Sequence, residues 1–444
     1  MRKLFIGTLL LALLALSLPF TTAHPAAETG ASPLAADLDA GVLVKWMQML
    51  YDRTEAEAIN APAASRLYAY AGITAFQAVL PGIPEGISMS GQLSAMPDTP
   101  FPEEEGIYDW PASANAALGT VIKELFKNGT PQTLRDISNL QDSLTASRER
   151  ATSADIVARS ARYGEAVAAP IIEWINSDNY AETRDLKWDM PTGDPSLWVP
   201  TAPGQQAVEP FWGQIRPFAL YDPSTCNIPL NVDFSTEPDS TFYLQALEVK
   251  TVGDNLTNEQ KDIARYWVDT PGDSGAPAGH WVLIENQMVD RLDLKLDRAA
   301  MMYALVGTAL GDAFISAWRT KYEINLIRPV TYIQEYIDPN WQSLIATPGF
   351  PEYPSGHSVV SSAAGTVLTR MFGQVAFTDR SGRKHGFQDR SFTSFWAAAS
   401  EAAISRMYGG IHYRTAIENG LDQGRCIGNQ VIDYVLLRSV PQGE

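Results

Sequence analysis

The chain is 444 residues long, 45% hydrophobic and 19% charged, with a formal net charge of −18 at pH 7. That composition is ordinary for a globular protein and long enough to bury a sizeable core. The acidic balance argues against nucleic acid as a partner, because binding there rests on neutralising phosphates with cations, and it makes any gathering of cations a local exception to the protein's own field.

In chain order, residues 1–23 read as a signal peptide. Arg2 and Lys3 supply the positive start, Leu4 to Leu18 is almost wholly apolar, Pro19 ends the run, and Ala23 is a small residue at a plausible cleavage point. The expectation is export to the periplasm or the extracellular space, with no membrane span left after cleavage; an uncleaved anchor is the rival reading. Residues 24–39 read as a linker. An N-terminal helical part is expected over 40–238. Val42, Trp46, Leu50 and Tyr51 recur there at helical spacing, and further helices are predicted over 62–79, 112–127, 131–145 and 153–177. Thr130-Pro131 is an N-cap followed by Pro at the first helical position. From about 178 to 238 the texture turns to Pro, Gly and Trp, as in Trp198-Val199-Pro200 and Pro210-Phe211-Trp212-Gly213. Its aromatics predict an ordered connection wrapped on the core rather than disorder. A C-terminal helical part, residues 239–444, is expected to carry the chemistry, with helices over 239–251, 257–268, 280–292, 297–327, 357–372, 393–407 and 412–437. Strand signals are few, so the predicted fold is all-α and bundle-like. Cys226 and Cys426 are the two cysteines. Export permits a bridge between them, but two residues define no framework and their pairing stays open.

Three short stretches can do chemistry. Lys321 and Arg328 are seven residues apart, nearly two helical turns, so a continuous helix would project both cations from one face, about 10 Å apart. Pro329 then favours ending that helix. Pro351-Glu352-Tyr353-Pro354-Ser355-Gly356-His357 is a tight loop before a small-residue apolar run. A helix starting there would offer unpaired amides, a hydroxyl from Ser355, close approach at Gly356, and an imidazole at His357 able to move a proton near neutral pH. In Ser405-Arg406-Met407-Tyr408-Gly409-Gly410-Ile411-His412, the glycine pair lets the chain turn, so that Arg406 ends one helix while His412 opens the next. Each stretch alone also has a bland reading: a solvated helix face, a capping loop and a Gly-rich turn, in that order. Together they supply three cations, a hydroxyl, backbone donors and two imidazoles: the parts of one oxyanion pocket.

The order Lys-x6-Arg-Pro, Pro-Ser-Gly-His, Ser-Arg-x5-His resembles the superfamily that joins vanadium-dependent haloperoxidases with type-2 phosphatidic acid phosphatases and bacterial acid phosphatases. The texture is most similar to the soluble haloperoxidase branch, through Asp312-Ala313 and Trp318, Arg328-Pro329-Val330-Thr331, Phe350-Pro351-Glu352-Tyr353, Tyr408 to Tyr413, Trp212-Gly213 with Arg216-Pro217-Phe218, and Gly279-His280-Trp281. The likeness is dense over about 265–438 and thinner from about 40. It implies that Lys321, Arg328, Arg406, Ser355 and Gly356 hold the oxygens of vanadate, that His412 ligates the metal, and that His357 is the acid–base group. Hydrogen peroxide and a halide are then the implied substrates. Under the phosphatase reading the same pocket takes phosphate: a phosphate ester is the substrate, His412 the nucleophile and His357 the proton donor. A non-catalytic oxyanion-binding protein is a third reading, weakened by the presence of both imidazoles. The resemblance also implies a homodimer. Trp318 and Phe350 fall where haloperoxidases carry aromatics on the halide side, and core packing is the bland alternative. Asp269 matches an acidic residue that supports the pocket arginines, and a helix cap is equally open there.

One position departs from the pattern. The superfamily usually has an acidic residue four positions after the ligand histidine, and here Ala416 stands there, with Glu418 as the nearby replacement. His280 is expected to be structural and His385 to lie in a solvated loop.

Overall fold

The computed structural model describes residues 30–438, so the segment read as a signal peptide, and the linker's first residues, lie outside it. The described chain is helical almost throughout: α1 (Gly41–Ala56), α2 (Ala61–Val79), α3 (Trp110–Leu125), α4 (Pro131–Glu149), α5 (Ala154–Asn176), α6 (Tyr180–Thr183), α7 (Thr241–Asp254), α8 (Asn258–Tyr266), α9 (Ala276–Arg291), α10 (Leu296–Ile324), α11 (Pro329–Tyr336), α12 (Gly356–Phe372), α13 (Phe395–Tyr408) and α14 (Arg414–Tyr434). The one regular sheet among the described residues is an antiparallel pair, β1 (Phe377–Asp379) and β2 (Arg390–Phe392), with Thr378 opposite Ser391. The all-α expectation holds.

Local chemistry starts these helices. Asn60, Asp109, Thr130, Ser153, Ser240, Thr257, Ser355 and Ser394 each accept a hydrogen bond from the amide three residues on. Such a cap stabilises by about 1 kcal/mol. At Thr257 the Gln260 side chain also returns to the cap's own amide, closing a capping box.

The core forms around α10, which is apolar and long enough to cross a membrane by composition, yet buried along its whole apolar window. Its strongest neighbour is α2, itself buried from Pro62 to Val79. The connection between α6 and α7 is wrapped on this core as expected: Trp198 and Trp212 are each 1% exposed. Asp312 of α10 pins it, accepting from the amides of Phe218, Ala219 and Leu220 at 2.6, 2.8 and 2.9 Å. Cys226 in the same connection is bridged to Cys426 of α14, a pairing the sequence left open.

α12 and α14 lie against each other without intervening side chains on one seam. A Cβ at Gly424 would stand 2.1 Å from the Val359 carbonyl oxygen, and one at Gly428 2.8 Å from that of Ala363. Glycine is required there to let the two backbones approach.

One sequence expectation fails. Lys321 and Arg328 do not share a helix face. α10 ends at Ile324, Asn325 takes the left-handed conformation at φ 52°, and Arg328 is the N-cap of α11. Pro329, read as a terminator, instead opens α11 at its first position, where its missing N–H costs nothing.

Candidate active site

Four chain segments converge. The C-terminal end of α10 brings Lys321, the α10–α11 break brings Arg328, the start of α12 brings Ser355, Gly356 and His357, and the α13–α14 turn brings Arg406 and His412. The turn behaves as expected: Arg406 lies in the last turn of α13, Gly410 takes φ 77°, and His412 precedes α14. Lys321, Arg328 and Ser355 are 0% exposed, Arg406 1% and His412 2%. A cavity of about 250 Å³ opens onto Gly356, His357, Arg406 and His412, and its remaining wall is largely apolar, with Phe314, Trp318 and Phe350 prominent. Trp318 and Phe350 pack with centroids 4.8 Å apart.

The cations are not equally free. Lys321 Nζ donates to the carbonyls of Pro351, Glu352 and Pro354, which take all three of its N–H groups. As placed it braces the loop and contributes charge; donation to an anion requires it to release one carbonyl. Arg328 donates from Nε to the Phe350 carbonyl at 2.9 Å and from Nη1 to the Ile411 carbonyl at 2.8 Å, while its Nη2 is buried with no partner. Arg406 donates from Nη2 to the carbonyls of Trp267 and Ala264 at 2.6 and 3.2 Å. Burial, uncompensated by enough negative charge, pulls Arg328 down to about 10 and Arg406 to about 10, and drives Lys321 well below its ordinary value. Ser355 caps α12, accepting from the Ser358 amide at 3.3 Å and from its hydroxyl at 2.9 Å, which leaves the Ser355 hydroxyl proton to give.

His412 is held in one tautomer. Its Nδ1–H donates to Glu352 Oε1 at 2.8 Å, and its Nε2 lone pair faces Arg328 Nη1 at 3.2 Å. Burial and the neighbouring Arg328 and Lys321 charges keep the ring neutral at ordinary pH. Nε2 therefore carries the lone pair for a ligand or an attack, which Arg328 Nη1 holds until it turns to an anion.

Glu352 is the residue that sequence reasoning missed. It is 0% exposed, and the same oxygen that orients His412 also accepts from the Tyr413 amide at 2.9 Å. Burial pushes its carboxyl up to about 7, against the pull of Arg328 and Lys321. Glu418, named as the replacement for the acid absent at Ala416, is exposed and pairs with Arg414 at 3.6 Å instead. The only sequence signal for Glu352 was a carboxylate inside the Pro-rich loop, 60 residues from the ring it holds.

His357 is mostly buried, with 16% of its side chain exposed toward the cavity. Burial and the Arg406 charge pull it down to about 4, against Asp269, whose Oδ2 lies 3.6 Å from a His357 Nε2 that has no hydrogen-bond partner. Asp269 caps no helix; it bonds His280. His385 sits apart in the 3₁₀ turn Ser381–His385, as expected of a loop residue.

Among the described residues no group of three or more His, Cys, Asp or Glu is gathered for a cation. The donor set is that of an oxyanion site: cations, a hydroxyl and a helix start around neutral imidazoles. Arg328 Nη2, buried without a partner, is a donor such an anion would satisfy.

Comparison with known proteins agrees. Residues 301–438 match the family model described as the VCPO second helical-bundle domain. A vanadium chloroperoxidase of Curvularia inaequalis is 26% identical over 167 residues, 26% of this chain and 27% of that protein, so the match spans about a quarter of that relative's length. The crystal structure of the first bacterial vanadium-dependent iodoperoxidase is similar with a TM-score of 0.85 and 35% identity, covering 93% of this chain and 100% of that one. A holo-type bacterial vanadium-dependent chloroperoxidase shares the fold at a TM-score of 0.65 and 17% identity, over 86% of this chain and 95% of that one.

Proposed function

Because this chain belongs to the vanadium-dependent haloperoxidase family, we propose that it is an exported enzyme that binds vanadate in the pocket around His412 and oxidises a halide with hydrogen peroxide. The observation that carries this reading is the buried, unpartnered Arg328 Nη2 on the guanidinium beside a His412 ring whose Nδ1–H is fixed by Glu352. Arg328, Arg406, the Ser355 hydroxyl and the Gly356 amide hold the anion's oxygens, Lys321 adds charge, and Nε2 of His412 is the ring nitrogen offered to the metal. Vanadate held there supplies a Lewis acid that polarises peroxide without changing its own redox state.

The protein's part is binding, orientation and proton transfer. With no anion present, burial and Arg406 keep His357 neutral. An oxyanion beside it offsets that cationic field, so the ring gains proton affinity when the pocket fills and can pass a proton to an oxygen there. Trp318 and Phe350 give the halide an apolar wall, which strips water from a weakly hydrated anion. Iodide is the first halide to test, since the relative aligned over its whole length is called an iodoperoxidase. Export belongs to the same proposal. Arg2, Lys3 and the apolar run that follows support it, and the Cys226–Cys426 bridge suits an oxidising compartment. A homodimer is kept as part of the proposal on the resemblance alone.

The test is to purify the protein without phosphate, add orthovanadate, and assay iodide and bromide oxidation with peroxide beside hydrolysis of an aryl phosphate. Vanadate-dependent halide oxidation that disappears in His412→Ala is the expected result. Phosphate release that vanadate inhibits, with no halide oxidation, would make the pocket a phosphatase with His412 as nucleophile.

A further inference from the structure

Behind His357 lies a second chain of buried charge that the mechanism above does not use. Asp269 faces His280 Nδ1 with Oδ1 at 3.1 Å and Oδ2 at 3.3 Å, and the same Oδ2 lies 3.6 Å from His357 Nε2. His280 Nε2 in turn lies 2.9 Å from Asp379 Oδ2 and 2.9 Å from the Ser381 hydroxyl. His280 and Asp269 are 5% and 8% exposed and Asp379 0%. We propose that His280 is a positioning residue that acts on His357 through Asp269, and this rests on the reading of His357 as the pocket's acid–base group.

The geometry sets the protonation of His280. An imidazole with a carboxylate on each ring nitrogen is satisfied when both nitrogens carry a proton, because a lone pair on either side would face a carboxylate oxygen. The ring is also stacked on Trp267, centroids 4.2 Å apart and planes 16° from parallel, which suits a cation over an aromatic face. Asp379 is itself tied down by Gln287 at 3.0 Å and by the Ser381 amide at 2.9 Å, so the far end of the chain is fixed. Asp269 carries a further sign of constraint. Its backbone sits at φ 48°, in the left-handed region that a non-glycine residue occupies only where its surroundings hold it. The imidazolium neutralises a carboxylate that would otherwise be costly to bury, and leaves Asp269 ionised with Oδ2 shared between His280 and His357. Asp379 thus anchors His280, His280 holds Asp269 ionised, and Asp269 orients the one ring able to move a proton in the pocket.

A second cavity of about 320 Å³, which shares Val268, Asp269 and Thr270 with the wall of the oxyanion pocket, is lined by His280 and Ser381, with Tyr51, Arg265, Tyr266, Asp273 and His385 as the other titratable groups on its wall. It gives small molecules such as imidazole access to the wall that carries His280.

Two measurements test the inference. The first uses the protein without vanadate, labelled with ¹⁵N-histidine. His280 should show both ring nitrogens protonated at pH 8, and Asp379→Asn should remove one of those protons. A neutral His280 ring at pH 7 would overturn the proposal, whatever the enzyme's activity. The second uses the vanadate-loaded enzyme. His280→Gln should lower kcat for halide oxidation roughly tenfold to a hundredfold, the usual cost of losing a group that orients a functional side chain, with inorganic phosphate affinity of the vanadate-free protein within about twofold of wild type. In His280→Ala, added imidazole should restore part of the lost rate. Equal losses of kcat, phosphate affinity and thermal stability, with no imidazole rescue, would assign His280 to packing and sink the idea. If the wild type oxidises no halide, the haloperoxidase reading falls, and the ¹⁵N measurement still decides whether His280 holds Asp269.

Discussion

Two arginines in this molecule are buried to about the same degree and are treated in opposite ways. Arg66 of α2 donates from Nε to Asp178 Oδ2 at 2.5 Å and from Nη2 to the Ile175 carbonyl at 3.0 Å, with its guanidinium 4.7 Å from the Tyr180 ring. Burial works against its charge, yet Asp178 more than restores it, and the net shift is upward. Arg328 at the start of α11 has two carbonyls, a histidine lone pair and an orphaned Nη2, and its net shift is downward, to about 10. The one carboxylate in its cluster, Glu352, is pushed up to about 7 and is turned toward His412. A buried cation whose donors are matched by the protein holds the fold together. A buried cation left short of partners is a standing demand for an anion, and the fold carries its cost until one arrives.

That contrast can be broken by substitution. The largest effect is expected at Asp178→Ala, which strands Arg66. Unfolding free energy should fall by about 3–5 kcal/mol, read by chemical denaturation, while phosphate affinity of the folded protein stays as it was. Arg328→Met should do the reverse. Removing an underpartnered charge should leave stability of the anion-free protein within about 1 kcal/mol, whereas the phosphate dissociation constant should rise about a hundredfold. A loss of stability as large as that of Asp178→Ala would mean that Arg328 is structural as well.

A smaller effect sharpens the role of Glu352. Glu352→Gln keeps an oxygen for the Nδ1–H of His412 and removes the charge, so orthovanadate binding should weaken about tenfold through lower basicity of the ring. Glu418→Gln, on an exposed ion pair, should change binding not at all. Equal effects at the two positions would return the role to Glu418.

The smallest expected effect is a slope. His280 is raised to about 10 by Asp269 and Asp379 against the opposing effect of burial, so its contribution to stability is complete below its ordinary 6.5 and is lost as pH climbs toward 10. Asp379, lowered to about 2 by His280 against burial, contributes above the ordinary carboxylate range and loses that contribution as pH falls toward 2. Melting temperature between pH 6.5 and 10 should therefore fall by a few degrees more in the wild type than in His280→Gln. Parallel curves would show that the ring is not charged in the folded protein.

The residues expected to form the oxyanion pocket were legible because each carries its own local chemistry: a cap at Ser355, a glycine turn before His412, a cation before a proline. Their convergence was legible only through resemblance, since nothing in the spacing from Arg328 to Arg406 says that they meet. Two misreadings have physical causes. Pro329 is compatible with ending one helix and with opening another, and the left-handed Asn325 that decides between them has no strong sequence mark. Glu352 was not legible because a carboxylate that acts across the fold has no periodicity to mark it, unlike the helical position occupied by Ala416.

The seam between α12 and α14 bears on the dimensions of the pocket. Ser355, Gly356 and His357 stand at the head of one helix, and His412 just precedes the other. Gly424 and Gly428 are what allow those helices to touch backbone to backbone. The bore of the proposed anion site is therefore gauged by atoms that are missing well down α14 from His412, against the α12 backbone just past His357. A single methyl group at Gly424 would act as a shim, pushing the head of α12, with Ser355, Gly356 and His357 together, away from His412. Selectivity for the size of the bound anion can thus drift along a strip of sequence that carries none of the chemistry.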